Sequence, residues 1–421
     1  MGATPVGAPR IRPLAQHGRL RSTNPVAEAF RLVAIGLCVV LVAAVSVGAI
    51  AVSRVATSIS ANSVNIGTGG GPVPTIGAYS GAVNLLLVGS DTRNGQKGHY
   101  GDNPGSTLND VTILIRISAD HTKATVLSFP RDLYVDVPAC PDPDHPGHML
   151  DPETGVKINT TLGYGGVGCT RDTVAKLTGL KIPYVALITF DGVVEMSNAV
   201  GGVPVCVAKA INDDYTGLHL TAGIHTLQGA RALEFLRTRH GVGDGSDLTR
   251  ISSQQVFLSA LVRKVKSSST LTDVTKLYGL AHAAGESMVL SSTLASIDTM
   301  VSIARAVAPI SLSRFVLVQY PTIVSGDGLT PNTGPATTLV DAIKADKTLR
   351  LAAKQKGATD GQGSVVQGGG SSPSPTPTKS SPAPSSSPSA SSGDGVDLPD
   401  TVVGQTAEQQ TCSVGNDLGR R

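Results

Sequence analysis

VNLLLVGSDTR, residues 83–93, joins a continuous apolar run to a polar turn that holds an acid and a base. An apolar run of this length bounded by a turn predicts a buried strand, here residues 83–88. Asp91 and Arg93 would then stand at the carboxyl end of that strand, where open α/β sheets bind ligands. This stretch therefore predicts both a central strand and a candidate site.

Further strands and helices are predicted along the chain. Residues 111–118 and 123–129 flank a short polar turn and predict a hairpin. Other predicted strands cover residues 185–190, 203–207 and 314–319. Helices are predicted at residues 171–177, 192–199, 228–236, 248–266 and 336–353. Because strands and helices interleave and one strand pair is a hairpin, we expect an α/β fold, a layered αβα domain with a central mixed sheet.

The N-terminal part predicts a membrane anchor. Residues 32–52 run for 21 positions without a charge or proline, which is enough for a transmembrane helix of about 30 Å. Arginines dominate residues 1–31, so the positive-inside rule predicts a basic cytoplasmic tail and an extracytoplasmic remainder of a single-pass cell-membrane protein. A cleaved signal peptide and a buried core helix remain alternatives.

Composition divides the rest of the chain. We expect a tether at residues 53–80, a globular domain at 81–355, a Gly/Ser/Pro-rich linker at 356–395 and a short C-terminal segment at 396–421. The net charge of +3 and the 3% of aromatic residues exclude a nucleic-acid partner bound through a basic field or by base stacking. No G-x-S-x-G, H-E-x-x-H or P-loop motif is present, so serine hydrolase, zinc protease and nucleotide hydrolase chemistry have no support.

Four of the five cysteines fall in the part predicted to be outside the cell, where disulfides form. Cys140 and Cys169 bracket one loop rich in proline and glycine, and we predict that they pair. Cys206 is then left for Cys412, although the linker leaves the position of Cys412 undefined. No C-x-x-C spacing occurs, which disfavours a zinc cluster.

Two aspartates form a candidate metal site. Asp110 opens the second predicted strand, and it would meet Asp91 if the two strands are neighbours. Two hard carboxylate oxygens suit Mg²⁺. The loop at residues 142–148 also holds aspartates and histidines, but its Pro-Asp-Pro-Asp-His-Pro composition is typical of a plain turn.

Arginines suited to phosphate lie at a strand end and around two helices. Arg131 follows the third predicted strand. Arg237 and Arg239 are two residues apart on an extended segment and so point the same way. Arg250 and Gln254 are four apart and share one helix face. Arginine binds phosphate in a bidentate manner, so together these residues predict a phosphate site, whereas each arginine alone is an ordinary solvated charge.

Seven motifs lie in order between residues 81 and 267: VNLLLVGSDTR, ND before VTILIRIS, SFPRDLYVDVP, KINTTLGYGG, AVGGVPVC, GARALEFLRTRH and DLTRISSQQ. With these motifs in this order, the sequence resembles the LytR–CpsA–Psr family, in its actinobacterial form. The resemblance implies a membrane-anchored phosphotransferase that moves a glycopolymer from a polyprenyl diphosphate carrier onto peptidoglycan with Mg²⁺. A (pyro)phosphatase acting on the same carrier and a non-catalytic protein that binds polyprenyl lipid or the wall are the alternatives.

The resemblance also assigns roles to residues. It implies a metal site at Asp91 and Asp110, and catalytic roles for these two with Arg93, Arg131 and Arg239. The residues implied to contact the diphosphate are Arg93, Arg131, Lys157, Arg237, Arg239, Arg250 and Gln254.

Two positions depart from the family pattern. Asn109 stands where the family often has Ser, and Ser253 stands where it often has Arg, which removes one possible phosphate contact. The apolar runs at residues 185–188 and 256–262 are candidates for lining a polyprenyl tunnel, with ordinary core as the alternative. Arg263 lies outside the motifs, and its replacement is expected to be neutral.

Overall fold

The computed structural model describes most of the chain beyond residue 80: residues 80–93, 107–145, 147–267, 273–352, 363–366 and 395–416, together with 63–66 and single residues at 26, 29–30, 34–36, 96, 98, 100, 105 and 418. The chain divides into two compact units, residues 1–54 and 55–421. In the first unit the described residues are helical. The predicted membrane span at 32–52 lies outside the described residues except for 34–36, and no described helix is long and apolar enough to cross a bilayer.

Short strands and seven helices make up the second unit as far as it is described. The strands, in chain order, are β1 (Ser63–Val64), β2 (Val83–Ser90), β3 (Asn109–Ile117), β4 (Ala124–Phe129), β5 (Tyr134–Val137), β6 (Cys140–Pro141), β7 (Met149–Leu150), β8 (Glu153–Lys157), β9 (Tyr184–Ile188), β10 (Val203–Lys209), β11 (Ile211–Asp213), β12 (Leu218–Leu220), β13 (Gly223–Leu227), β14 (Met288–Ser291), β15 (Phe315–Gln319), β16 (Thr322–Ser325), β17 (Gly328–Pro331), β18 (Thr348–Arg350), β19 (Ser364–Val366), β20 (Gly395–Asp397), β21 (Gly404–Thr406) and β22 (Thr411–Val414). The helices are α1 (Thr161–Thr178), α2 (Phe190–Ala199), α3 (Ala230–Arg237), α4 (Asp247–Ser267), α5 (Val274–Ser287), α6 (Ile297–Val307) and α7 (Thr333–Lys344).

An eight-stranded mixed sheet forms the centre of this unit, in the order β1-β14-β9-β2-β3-β4-β15-β21. β2, β3 and β4 form an antiparallel meander, while β2 pairs with β9 and β4 with β15 in parallel. Successive residues of β2 point to opposite faces. Leu86 and Val88 join a core cluster that includes α1 and α7, and Leu85 and Leu87 pack in a second cluster with α4 and α6. The sheet is therefore mixed, as expected, and helices cover both of its faces.

The predicted central strands agree with the structure to within about two residues. The predicted helix at 336–353 is too long, because α7 ends at Lys344 and Thr348–Arg350 is a strand. The predicted helix at 171–177 is too short, because α1 begins at Thr161 and passes a kink at Gly165 and Gly166. No predicted strand or helix covers α5, β14 or α6.

The C-terminal segment is part of the domain. β21 extends the central sheet beside β15, and β22 lies between β10 and β19 in a second sheet of four strands, β13-β10-β22-β19. Cys206 and Cys412 are direct partners across β10 and β22 and form a disulfide, and Cys140 is bonded to Cys169 of α1. Both predicted disulfide pairs are therefore present, and strands beyond the predicted boundary at residue 355 belong to the folded core.

Candidate functional site

A cavity of about 440 Å³ opens between the central sheet and helices α2, α3 and α4. Its wall is largely apolar, and its polar residues include Asp110, Arg131, Arg237, Arg239, Arg250 and Gln254. Ile188 and the α4 residues Phe257, Leu258 and Leu261 line it, so the two runs predicted for a tunnel contribute in part. The remaining residues of those runs include Val185 and Val256, which are buried in the core.

A β-bulge places Asp110 at this cavity. Gly89 pairs with Val111 and Ser90 pairs with Asn109, so Asp110 is the extra residue of β3. Adjacent strand residues normally point to opposite faces, yet Asp110 and Val111 both line the cavity. The carbonyl oxygen of the buried Asn109 side chain accepts a hydrogen bond from the backbone N–H of Leu162 at 3.2 Å. The departure at residue 109 thus ties β3 to α1, on the side away from the cavity.

Arg131 and Arg250 are held in a network of carboxylates. Arg131 Nη1 lies 2.6 Å from Asp110 Oδ1, and Arg250 Nη2 donates to the backbone oxygen of Asp110 at 2.7 Å. Asp247 lies 2.6 Å from Arg250 and accepts the backbone N–H of Arg131 at 3.1 Å. Burial disfavours the charge of Arg131, but Asp110, Asp132 and Asp247 outweigh it and raise the pKa of the guanidinium. Arg131 therefore stays cationic in a half-buried place.

Arg237 connects the predicted metal-site residues to this network. Its guanidinium lies 4.4 Å from the ring centre of Phe190. Burial lowers the pKa of Arg237, and the charge of Arg93 lowers it further, whereas Asp110 and Asp91 oppose the shift. Both aspartates and Arg93 are thus within electrostatic reach of one guanidinium.

Three arginines at the site present buried nitrogen atoms that lack hydrogen-bond acceptors. The Nε atoms of Arg93, Arg131 and Arg250 have no hydrogen-bond partner among the residues that the structure describes. Asp132 Oδ1, at 3.6 Å from Arg131 Nε, is too far for a hydrogen bond. Because buried donors are nearly always paired, these atoms indicate a ligand rich in anionic oxygen.

A buried aspartate that the sequence analysis missed holds the second arginine segment. Asp213 is completely buried, and its carboxylate accepts hydrogen bonds from Thr238 Oγ1 at 2.5 Å and from the backbone N–H of Arg239 at 3.3 Å. Arg239 Nε donates to Gly245 O at 3.1 Å. Asp213 belongs to no motif, and its role depends on contacts between distant segments, so only the turn composition that follows it could have drawn attention to it.

Lys157 lies in a neighbouring cluster and, like Asp91 and Arg93, is not among the residues that line the cavity. Its Nζ lies 3.0 Å from Asp327 Oδ2 and 3.9 Å from Asp132 Oδ1. The hydrogen bond to Asp327 raises the pKa of Lys157. Lys157 does not line the cavity, and Asp132 stands between it and Arg131. Gln254, in contrast, is buried at the cavity wall, where its Nε2 donates to Leu236 O at 2.9 Å.

The aspartates fit Mg²⁺ only together with ligand oxygens. In the described part of the chain, no three His, Cys, Asp or Glu residues gather as a metal site. Asp91 Oδ1 accepts the backbone N–H of Leu108 at 2.7 Å, which orients that carboxylate. Mg²⁺ in proteins is commonly held by one or two carboxylates, water and substrate phosphates. Asp91 and Asp110 are carboxylates of that kind, and both interact electrostatically with Arg237.

Comparisons with known proteins agree on one family. The family model described as the LytR_cpsA_psr family matches residues 51–325. The chain is 32% identical over 257 residues to the cell wall biosynthesis protein LcpA of Corynebacterium glutamicum, covering 54% of this chain and 48% of that protein. It is 32% identical over 194 residues to the polyisoprenyl-teichoic acid–peptidoglycan teichoic acid transferase TagT of Bacillus subtilis, covering 45% and 54%. The chain thus spans about half the length of the curated relatives it matches.

Among solved structures, a LytR-Csp2A-Psr enzyme from Actinomyces oris aligns with a TM-score of 0.46 at 22% identity, covering 67% of this chain and 94% of that one. TagV of B. subtilis aligns with a TM-score of 0.49 at 20% identity, covering 64% and 98%.

Proposed function

This chain belongs to the LytR–CpsA–Psr family, and on that premise we propose that it is a phosphotransferase that moves a glycopolymer from a polyprenyl diphosphate carrier onto peptidoglycan. The observation that carries the proposal is the set of buried, acceptor-free guanidinium nitrogens beside an apolar cavity. Such a combination suits a ligand with one apolar end and one anionic end. A polyprenyl chain fills the cavity, and its diphosphate meets the arginines at the polar end.

The reaction exchanges the phosphoanhydride bond of the carrier for a phosphodiester bond to the acceptor. An acceptor hydroxyl oxygen forms a bond to the phosphorus that carries the glycan, and the bond from that phosphorus to the bridging oxygen breaks. The proton of the acceptor hydroxyl goes to solvent, and polyprenyl monophosphate leaves with the bridging oxygen. Phosphoryl transfer of this kind needs alignment and charge neutralisation more than a covalent nucleophile. Arg131, Arg237, Arg239 and Arg250 supply the positive charge, and the network of Asp110 and Asp247 keeps Arg131 and Arg250 in place.

The identity of the acceptor separates transferase from hydrolase. Carrier-linked glycan incubated with peptidoglycan and the full-length protein should yield two products, which are peptidoglycan that carries the glycan and free polyprenyl monophosphate. If free glycan phosphate forms at the same rate with or without peptidoglycan, water is the acceptor and the (pyro)phosphatase alternative replaces this proposal. If neither product forms while the carrier binds, the non-catalytic alternative holds.

Mg²⁺ belongs to the proposal as the ion held by Asp91 and Asp110, where it would neutralise charge on the phosphate oxygens. We expect Asp91→Asn to raise the Mg²⁺ concentration for half-maximal transfer about tenfold or more. The amide keeps an oxygen for the N–H of Leu108 but loses the negative charge. Titrating Mg²⁺ against the transfer rate measures the shift, and Asp298→Asn, on α6, is the matched control. An unchanged Mg²⁺ requirement would remove Asp91 from the metal site.

Attachment to the cell membrane is also part of the proposal, with the N-terminus in the cytoplasm and residues 53–421 outside. Reporter fusions test this directly. An alkaline phosphatase fused after residue 60 should be active in cells, and a reporter that fluoresces only in the cytoplasm should be dark at the same position. The reverse pattern would place the domain in the cytoplasm and contradict the proposed access to peptidoglycan.

A further inference from the structure

A stacked pair of aromatic rings lies beside the arginines. Tyr215 and His240 both line the cavity, and their ring centroids are 4.3 Å apart with planes inclined by 29°. Tyr215 sits in the turn between β11 and β12 and is 51% exposed. The wall around them is mostly aliphatic. This pair therefore combines an aromatic surface, access to solvent and nearness to the anion-binding side chains.

The buried carboxylate of Asp213 fixes this pair relative to Arg239. It accepts the backbone N–H of Tyr215 at 3.0 Å and the backbone N–H of Arg239 at 3.3 Å. His240 follows Arg239 directly in the chain and is held by the same carboxylate, because Gly241 N–H also donates to it at 3.3 Å. A phosphate bound by Arg239 would therefore lie close to the two rings. The carboxylate of Asp213 fixes the distance between them.

We propose that Tyr215 and His240 form a subsite for a pyranose ring next to the diphosphate. The C–H face of a sugar is apolar and packs on aromatic rings, while its hydroxyl groups stay hydrated at a half-exposed position. The subsite rests on the proposed function and adds to it, because it lets the protein recognise the glycan as well as the lipid and the phosphates. The ring is supplied by the first sugar of the carrier-linked glycan or by the acceptor.

Binding of two matched probes tests the subsite. Methyl geranyl diphosphate and glucosyl geranyl diphosphate carry the same charge and differ only in the group on the outer phosphate, and their dissociation constants are measured on the full-length protein by calorimetry. We expect the sugar to tighten binding about 5-fold in the native protein. Tyr215→Ala should abolish that gain and leave the affinity for methyl geranyl diphosphate unchanged, while Tyr215→Phe, which keeps the ring, should retain it. The substitution spares the backbone N–H that binds Asp213.

The KM for peptidoglycan shows whether the sugar in the subsite comes from the carrier-linked glycan or from the acceptor. If Tyr215→Ala leaves both probe affinities unchanged but raises the KM for peptidoglycan several-fold, the subsite holds the acceptor sugar. If both the ratio and this KM are unchanged, or if Tyr215→Ala weakens both probes equally, the subsite is refuted while the proposed function stands. If the native protein binds neither probe, the proposed function fails, and the subsite fails with it.

Discussion

Arg131→Ala is expected to lower the transfer rate by about 30- to 1,000-fold in a protein that still folds. Arg131 lies 2.6 Å from Asp110, and its buried Nε has no hydrogen-bond acceptor among the described residues. Its loss leaves the carboxylate of Asp110 without that counter-charge and the diphosphate with one cation fewer. Transfer of carrier-linked glycan to peptidoglycan measures the rate, and circular dichroism of the same preparation verifies the fold.

A matched control needs an arginine without a role in the fold. Arg263, expected from the sequence to be dispensable, donates to the backbone oxygens of Ala407 and Gln409 at 2.8 and 3.0 Å, so it ties α4 to the C-terminal segment. Arg263→Ala would break these contacts, so it is not expected to be neutral and is not a matched control. Arg305, exposed on α6, is the better control, and Arg305→Ala should transfer at the native rate. Native activity of a folded Arg131→Ala protein would refute the assigned site and favour a non-catalytic binder.

The second large effect is expected from removing the Cys206–Cys412 disulfide. It closes a loop across 206 residues, and the chain-entropy model gives roughly 5 kcal/mol for a loop of that size, with measured disulfides nearer 2–4. The double variant C206S/C412S should therefore melt several degrees lower than the native protein. Reductant should lower the melting temperature of the native protein more than that of the variant.

The contacts of β22 explain why this bond reaches the site. Ser413 Oγ lies 2.7 Å from Ser253 Oγ on α4, one position before Gln254 at the cavity. Ser253, where the resemblance leads one to expect arginine, is completely buried against this strand. Cys38→Ser, which changes the one cysteine outside both disulfides, is the control and should leave melting unaltered. An unaltered melting temperature in C206S/C412S would mean that strand pairing alone secures the segment.

Continuous apolar runs made the central sheet predictable. Residues 83–88 and their hairpin neighbours bury both faces, so hydrophobicity alone marks them. The arginines that line the cavity were predictable for a related reason, since they lie in or directly after strands and helices whose positions were already clear. In contrast, α5, β14 and α6 lie in a stretch rich in Ala, Ser and Thr, where the apolar period is weak.

Features that depend on pairing between distant segments were beyond the sequence analysis. The bulge at Asp110 is a matter of register between β2 and β3, which residue types alone do not define. The strands β21 and β22 are short and partly polar, and they exist because β15 and β10 offer free edges. The resemblance predicted that Lys157 contacts the diphosphate, but in the structure its ammonium pairs with Asp327.

The placement of β19 and β20 has a consequence for chain length. Both strands pair within the domain, so the Ser/Pro-rich stretch between residues 366 and 395 is an internal insertion with two fixed ends. Doubling the length of such an insertion costs only about 0.6 kcal/mol of closure entropy. Natural selection can therefore lengthen or shorten it at little cost to folding, whereas a stop codon placed before it would delete strands from both sheets.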